Sequence, residues 1–185
     1  MARVQAQQVE SAKPPEPLER LDLIVVLKMA AEAATQERCS VRKLAEALDV
    51  PKSNVQRSLA RLVAQSVVVI GPNGKRLHRL NARDLFSHAV RWMAPARPGK
   101  VVLGLPTAHA ASPLVSQLPG DSDPVVIPLE EGPLRGRCVA PIHPSAPAAA
   151  KKDPKLHELL AIVDGIRIGG AREREVAVAA LKARL

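Results

Sequence analysis

Between Lys52 and Arg61 the chain gathers Lys52, Ser53, Asn54, Gln56, Arg57 and Arg61, all of them side chains that can donate hydrogen bonds. Projected at about 100° per residue, Ser53, Arg57, Ala60, Arg61 and Ala64 share one helical face, with Asn54 at its edge. A forked guanidinium matches phosphate oxygens and the acceptor edge of guanine, and short Ser and Asn side chains reach similar acceptors. The alanines between them let a helix backbone come close to what it binds. Both Arg57 and Arg61 are expected to point outward. A second basic group, Lys75, Arg76 and Arg79, follows shortly, and Arg42 precedes. The chemistry on offer is recognition of a polyanion.

Bond-making chemistry has no comparable set. The sequence holds no Gly-rich phosphate loop, no His-x-x-x-His, no Cys-x-x-Cys and no Gly-x-Ser-x-Gly. The nearest approach to a nucleophile and base is Cys138 with His143 or His109, and nothing in their local sequence supports it. His78, His88 and His157 lack metal-ligand spacing. No enzymatic activity, cofactor or metal is expected.

The elements that must carry the basic residues can be read from caps and spacing. Ser40 is a good N-cap for a helix over 41–48, with Val41, Leu44 and Leu48 along one face. Pro51 disfavours helix at Val50 yet suits the first turn of a new helix. In that second helix Val55, Leu59 and Leu62 form the stripe that packs on the first. Val67-Val68-Val69-Ile70, the turn cluster Gly71-Pro72-Asn73-Gly74 and Lys75-Arg76-Leu77-His78-Arg79 then predict a short β-hairpin.

The pattern Leu44-Ala45-x-x-Leu48-x-Val50-x-x-Ser53-x-Val55-x-Arg57-x-Leu59-x-x-Leu62, with the hairpin after it, resembles bacterial winged-helix transcription regulators of the multiple-antibiotic-resistance type. The resemblance covers roughly the first half of the chain. It implies a winged helix-turn-helix in which Ser53, Asn54 and Arg57, with Gln56 or Arg61, enter the major groove of duplex DNA. Arg42, Lys52 and the wing residues Lys75, Arg76 and Arg79 would hold phosphates. Phe86-Ser87-His88-Ala89-Val90-Arg91 and Leu105-Pro106-Thr107-Ala108-His109-Ala110-Ala111-Ser112-Pro113-Leu114 resemble segments of helix-turn-helix proteins found in bacterial toxin–antitoxin or phage-defence loci.

Charge distribution agrees with a polyanion partner. The net charge is +9, and residues 36–98 hold 12 Lys and Arg against 4 Asp and Glu, whereas the flanking stretches nearly balance. One Phe, one Trp and no Tyr leave nothing to stack single-stranded bases on, which favours duplex DNA. Cys39 and Cys138 are isolated and read as small buried hydrophobes in a reducing compartment. The absence of a membrane-length apolar run or a signal-peptide centre predicts a cytoplasmic, nucleoid-associated protein.

The remaining segments complete the expected layout. Residues 1–17, ending in Pro14-Pro15-Glu16-Pro17, read as a disordered arm, and 18–93 as the winged helix-turn-helix domain. Its first helix, from Leu18 to Ala34, is apolar almost all round. One side should pack on the helix-turn-helix, and the other needs cover from the C-terminal region or from a second subunit. A homodimer is expected for that reason. Asn81 is the expected N-cap of a helix to Met93 in which Trp92 is a packing anchor. Residues 94–154 carry 12 of the 17 prolines and read as a loop-rich extension with short strands near 100–103, 125–127 and 137–140. The run Pro144–Ala150 reads as a linker, and His109 as a histidine tied to local backbone, with a ligand-sensing or interface role as the alternative. Residues 155–185 predict a helical hairpin for dimerisation or partner docking.

The fold class expected is therefore mainly α with a small β-wing, an α+β arrangement with a Pro-rich extension and a terminal helical hairpin. The expected function is sequence-specific, double-stranded-DNA-binding transcription regulation by a homodimeric repressor. The alternative is an antitoxin or adaptor whose main partner is a protein.

Overall fold

Residues 14–33, 40–72, 74–118 and 123–185 are described by the computed structural model. The expectations for residues 1–13, Ala34, Cys39 and Asn73 lie outside them. The fold is mixed α and β.

Helix α1 (Arg20–Ala33) is the centre of the first half, and Leu23 to Leu27 are buried without interruption. A helix covered on one side only would show a single stripe, so this one must have neighbours on opposite sides. Helices α2 (Val41–Leu48) and α3 (Lys52–Ala64) supply one, and α7 (Pro154–Ile168) supplies the other. Of the two covers expected for the far side of α1, the C-terminal region and a second subunit, the C-terminal region is the one seen.

Local signals place α2 and α3 as read. Ser40 Oγ accepts the Lys43 N–H at 3.2 Å. Asp49 closes α2 in the left-handed region at φ +50°, where the Asx side chain is tolerated better than most, and its N–H bonds back to Ala45 and Glu46. Strands β1 (Val68–Gly71) and β2 (Gly74–Leu77) form the expected hairpin, with Val69 opposite Arg76 and Ile70 opposite Lys75. Gly74 takes φ +104°, a conformation open to glycine.

The next helix starts earlier than expected. Helix α4 (Arg79–Asp84) is capped by His78, whose Nδ1 accepts from the Asn81 N–H, so Arg79 lies in a helix and not in the second strand. Asn81 instead donates its side-chain amide to the Ser66 carbonyl at 2.8 Å. A π-helical turn (Leu85–Ala89) joins α4 to α5 (Val90–Met93). It explains a spacing of four in the buried residues Ala82, Phe86, Val90 and Ala94. In a straight α-helix those positions would drift by about 120°, and the wider turn realigns them. Trp92 lies on the opposite side: it is 75% exposed, with the Arg91 guanidinium 5.1 Å from its ring, and is not the packing anchor expected.

The Pro-rich region is more ordered than its composition suggests. Strands β3 (Val101–Pro106), β4 (Val125–Pro128) and β5 (Leu134–Cys138) close on one another: β3 runs antiparallel to both others, and β4 pairs parallel to β5. The Pro144–Ala150 stretch is no linker but the start of helix α6 (Ala146–Lys152). Pro147 falls in its first turn, where no N–H is needed, and alanine is the best helix former.

Helix α7 is buried on almost every side and packs against α1, α5, α6 and α8 (Ala171–Lys182). The terminal hairpin therefore exists, but its first arm is an interior helix. One apolar core runs from Leu21 to Leu185, so residues 18–93 and 155–185 share it. Side chains of α7 also serve the loops. Thr107 Oγ1 donates to Asp164 Oδ2 at 2.7 Å, and Arg167 donates to Asp164, to the Ala94 carbonyl and to the Ala140 carbonyl. His157 Nε2 lies 2.7 Å from the Pro106 carbonyl. Loop carbonyls without sheet partners are satisfied this way. Burial pushes the Asp164 carboxyl up, with Arg167 and Thr107 acting against it.

Asp153 ties α1 to α7. Its Oδ1 caps α7 by accepting from the Lys155 and Leu156 N–H groups, and its Oδ2 accepts from Lys28 Nζ at 2.8 Å. Burial alone would raise this carboxyl, but Lys28 and the cap bonds outweigh it and hold it below its ordinary value of 3.8. A depressed carboxyl adds stability that is complete above the unfolded value and is lost as pH falls through the folded one. Asp153→Asn keeps the cap and removes the charge. It should cost about 1–2 kcal/mol at neutral pH, and the gap to the unaltered protein should close below about pH 4 in urea titrations.

Candidate nucleic-acid interface

The face of α3 turned away from α1 and α2 carries Lys52, Ser53, Gln56, Arg57, Ala60 and Ala64, all exposed, with Asn54 half-buried at the edge. The opposite stripe, Val55, Leu59 and Leu62, is buried, as a period of 3.6 requires. Arg57 is held in place: its Nη2 donates to Asn54 Oδ1 at 2.7 Å, one turn back along the helix. This leaves the rest of the guanidinium fork for an acceptor outside the chain.

Arg61 is the correction. It is 8% exposed and its guanidinium faces inward, donating from Nε and Nη2 to both oxygens of Asp22 at 2.8 and 2.9 Å, and from Nη2 to Glu19 at 3.0 Å. Asp22 itself is wholly buried in α1. An arginine with a carboxylate at the foot of its helix neighbour turns toward it, because the alternative is an unpaired buried charge. Arg61 fixes α3 on α1 and is not available to a ligand.

The other basic residues are placed as surface groups. Lys75 and Arg76 are exposed on β2, and Arg79 is exposed at the first position of α4. The hairpin is anchored to the end of α3 by the Val67 N–H donating to the Leu62 carbonyl and the His78 N–H to the Val67 carbonyl. Arg42 is exposed on α2 but already paired, its Nε 2.7 Å from Glu46 Oε1. That bond holds the Glu46 carboxyl below its usual range. Arg42 would have to share itself between Glu46 and a phosphate, so it is the weakest of the set.

One feature of the face lies in the backbone. Pro51 occupies the N-cap position of α3 and supplies no side-chain acceptor, and the first turn carries no acidic residue. The Asn54 N–H turns back to the Pro51 carbonyl at 3.0 Å, which leaves the Lys52 and Ser53 N–H groups and the positive end of the helix dipole for an external anion. The sequence signal was present: a proline where Ser, Asp or Asn would ordinarily cap. Ile70 on β1 and Leu80 on α4 are also largely exposed, which alternation and spacing had not indicated.

The remaining candidates are scattered. Cys138 carries a free, half-buried thiol on β5. His143 Nδ1 sits 2.9 Å from Ser145 Oγ, and His109 Nε2 sits 3.2 Å from the Asp123 carbonyl, so each histidine is engaged locally. Burial pulls the His143 imidazole below its ordinary value. Among the described residues no group of three or more His, Cys, Asp or Glu is placed to hold a metal, and no helix is long and apolar enough to cross a membrane. The chain matches no protein-family model, no curated protein and no solved structure.

Proposed function

We propose that this chain is a double-stranded-DNA-binding transcription regulator, a winged helix-turn-helix protein that lays α3 in the major groove and the β1–β2 hairpin along the backbone. The observation that carries the reading is the outer face of α3: small and hydrogen-bonding side chains around a buttressed Arg57, at an uncapped helix start, exposed to solvent. Ser53, Asn54, Gln56 and Arg57 read base edges, while Lys52, Lys75, Arg76 and Arg79 hold phosphates, with Arg42 a lesser contributor. Binding across a promoter would make it a cytoplasmic, nucleoid-associated repressor. Two copies on a palindromic operator would place half-sites about 34–36 Å apart, joined through a surface other than α1, which α7 covers.

The alternative, an antitoxin or adaptor gripping a protein through the Pro-rich region and terminal hairpin, draws less support. The arm of the hairpin that would do the gripping is interior. Apolar side chains of the Pro-rich region still open to such a partner include Val101 and Leu103 on β3, 56% and 45% exposed, and Val115, 52% exposed.

Fragments selected from a genomic pool supply the duplex for the test. Arg57→Gln should weaken the selected site by roughly 10- to 100-fold, that is about 1–3 kcal/mol, while leaving binding to unrelated duplex nearly unchanged. Lys75→Gln with Arg76→Gln should weaken all duplexes alike and flatten the salt dependence by about two ions. Titrations in which both variants match the unaltered protein at equal salt would overturn the assignment.

A further inference from the structure

Where the three-stranded sheet meets the α7–α8 turn, the chain encloses a pocket of about 370 Å³. It is remote in sequence from α3 and plays no part in the reading above. Its floor is apolar: Ala108 and Val125 are buried there as part of a second small cluster, with Ile168 packed against them. Its walls are charged or polar, and these groups come from four separate segments. Arg137 stands on β5, Glu173 in the first turn of α8, the polar His109 in the turn after β3, and Asp123 just before β4.

Arg137 and Glu173 are both restrained. Arg137 donates from Nε to the Gly99 carbonyl and from Nη2 to the Pro98 carbonyl, which fixes the guanidinium at the rim and leaves Nη1 unspent. Glu173 accepts the Gly170 N–H at Oε2, 2.6 Å, and keeps Oε1. His109 Nε2 lies 3.2 Å from the Asp123 main-chain carbonyl, and Asp123, itself exposed, lines the pocket mouth. The floor is strained as well. Ala108 lies at φ +46°, left-handed and costly by about 1–2 kcal/mol for a residue with a Cβ. It is held there by the neighbouring Thr107, buried and bonded to Asp164 and to the Val125 carbonyl. Strain kept in place by its surroundings collects at ligand clamps.

A fixed cation, two carboxylates and an aliphatic floor describe one class of ligand. The volume is at the small end for ligand pockets, too small for a nucleotide and suited to a metabolite. We propose that this pocket binds a free aliphatic α-amino acid. Its carboxylate meets Arg137, its ammonium meets Asp123 and Glu173, and its side chain lies on the half-buried Ile168, Leu118 and Pro98. Neither charge alone suffices, because a ligand lacking one leaves a wall charge desolvated and unpaired.

The test is calorimetry on the whole chain without DNA, so its outcome is independent of the proposed DNA binding. Valine, leucine and isoleucine serve as probes up to ~10 mM, with leucinamide and N-acetyl-leucine as forms lacking the carboxylate and the ammonium charge. The expected result is saturable binding of at least one free amino acid and at least tenfold weaker binding of both blocked forms. Arg137→Gln and Asp123→Asn, both at exposed positions, should each weaken binding at least tenfold with the far-UV spectrum unchanged. No saturable heat with any of the three amino acids would overturn the proposal. So would blocked forms that bind as well as leucine, or unaltered affinity in the folded Arg137→Gln chain.

Discussion

Arg61→Gln should cost about 3–5 kcal/mol of folding stability, the range for removing one partner of a buried ion pair. The size of the loss comes from what is left behind. Asp22 is wholly buried, and its carboxylate would keep its place in α1 with no guanidinium opposite. Glu19, whose N–H donates to Asp22 Oδ2 at 2.7 Å, offsets only part of that charge. For a chain of this length the loss corresponds to a fall in melting temperature of roughly 6–20 °C. Asp22→Leu combined with Arg61→Met removes both charges and should recover most of the loss, since an apolar pair of similar volume needs no compensation. Urea titrations of the two variants decide it. A loss below about 1 kcal/mol for Arg61→Gln would mean that the pair behaves like a surface contact and that Arg61 does not set the angle of α3 on α1.

The second large effect concerns the division of the chain. A fragment ending at Pro98 keeps every residue proposed to touch DNA but loses α7, the cover for one side of α1. Each large aliphatic side chain left open forgoes about 1.5–3 kcal/mol. Three or four of them equal the whole stability of an ordinary domain, about 5–15 kcal/mol. The fragment should show no cooperative urea transition and a poorly dispersed proton NMR spectrum. A sharp transition with helix content matching the same segment of the full chain would show that residues 18–93 form an independent unit after all.

The first half was legible because its signals are local. Ser40, Pro51, the Val55–Leu59–Leu62 stripe and Gly74 each dictate geometry within a few residues, and α2, α3 and the hairpin stand where these place them. Arg61 was not legible, because the direction of its side chain is decided by Asp22, 39 positions away. Trp92 was expected to pack, although a plain helical projection already sets it about 200° from Val90; what no single residue announces is the π-turn that keeps Ala82, Phe86, Val90 and Ala94 in line. Proline density suggested loops over 94–154. The short strands expected near 100–103, 125–127 and 137–140 overlap β3, β4 and β5, but their closure on one another and α6 escaped that reading because prolines sit at strand ends and in a first helical turn, where they cost little. Of the pocket only His109 stood out in sequence. Arg137 and Glu173 come from elements whose meeting depends on long-range packing.

Closure of β3, β4 and β5 on one another has a consequence for how copies of this protein meet. Each strand in that trio pairs with both of the others, which shortens the row of open amides that an incoming extended polypeptide could dock against. The hairpin is the opposite case, with two open flanks on a ribbon only two strands wide. Lys75 and Arg76 sit on one of those flanks. The same positive charge proposed to grip phosphate also repels a second copy of itself, so a single pair of side chains serves adhesion to one polymer and avoidance of another.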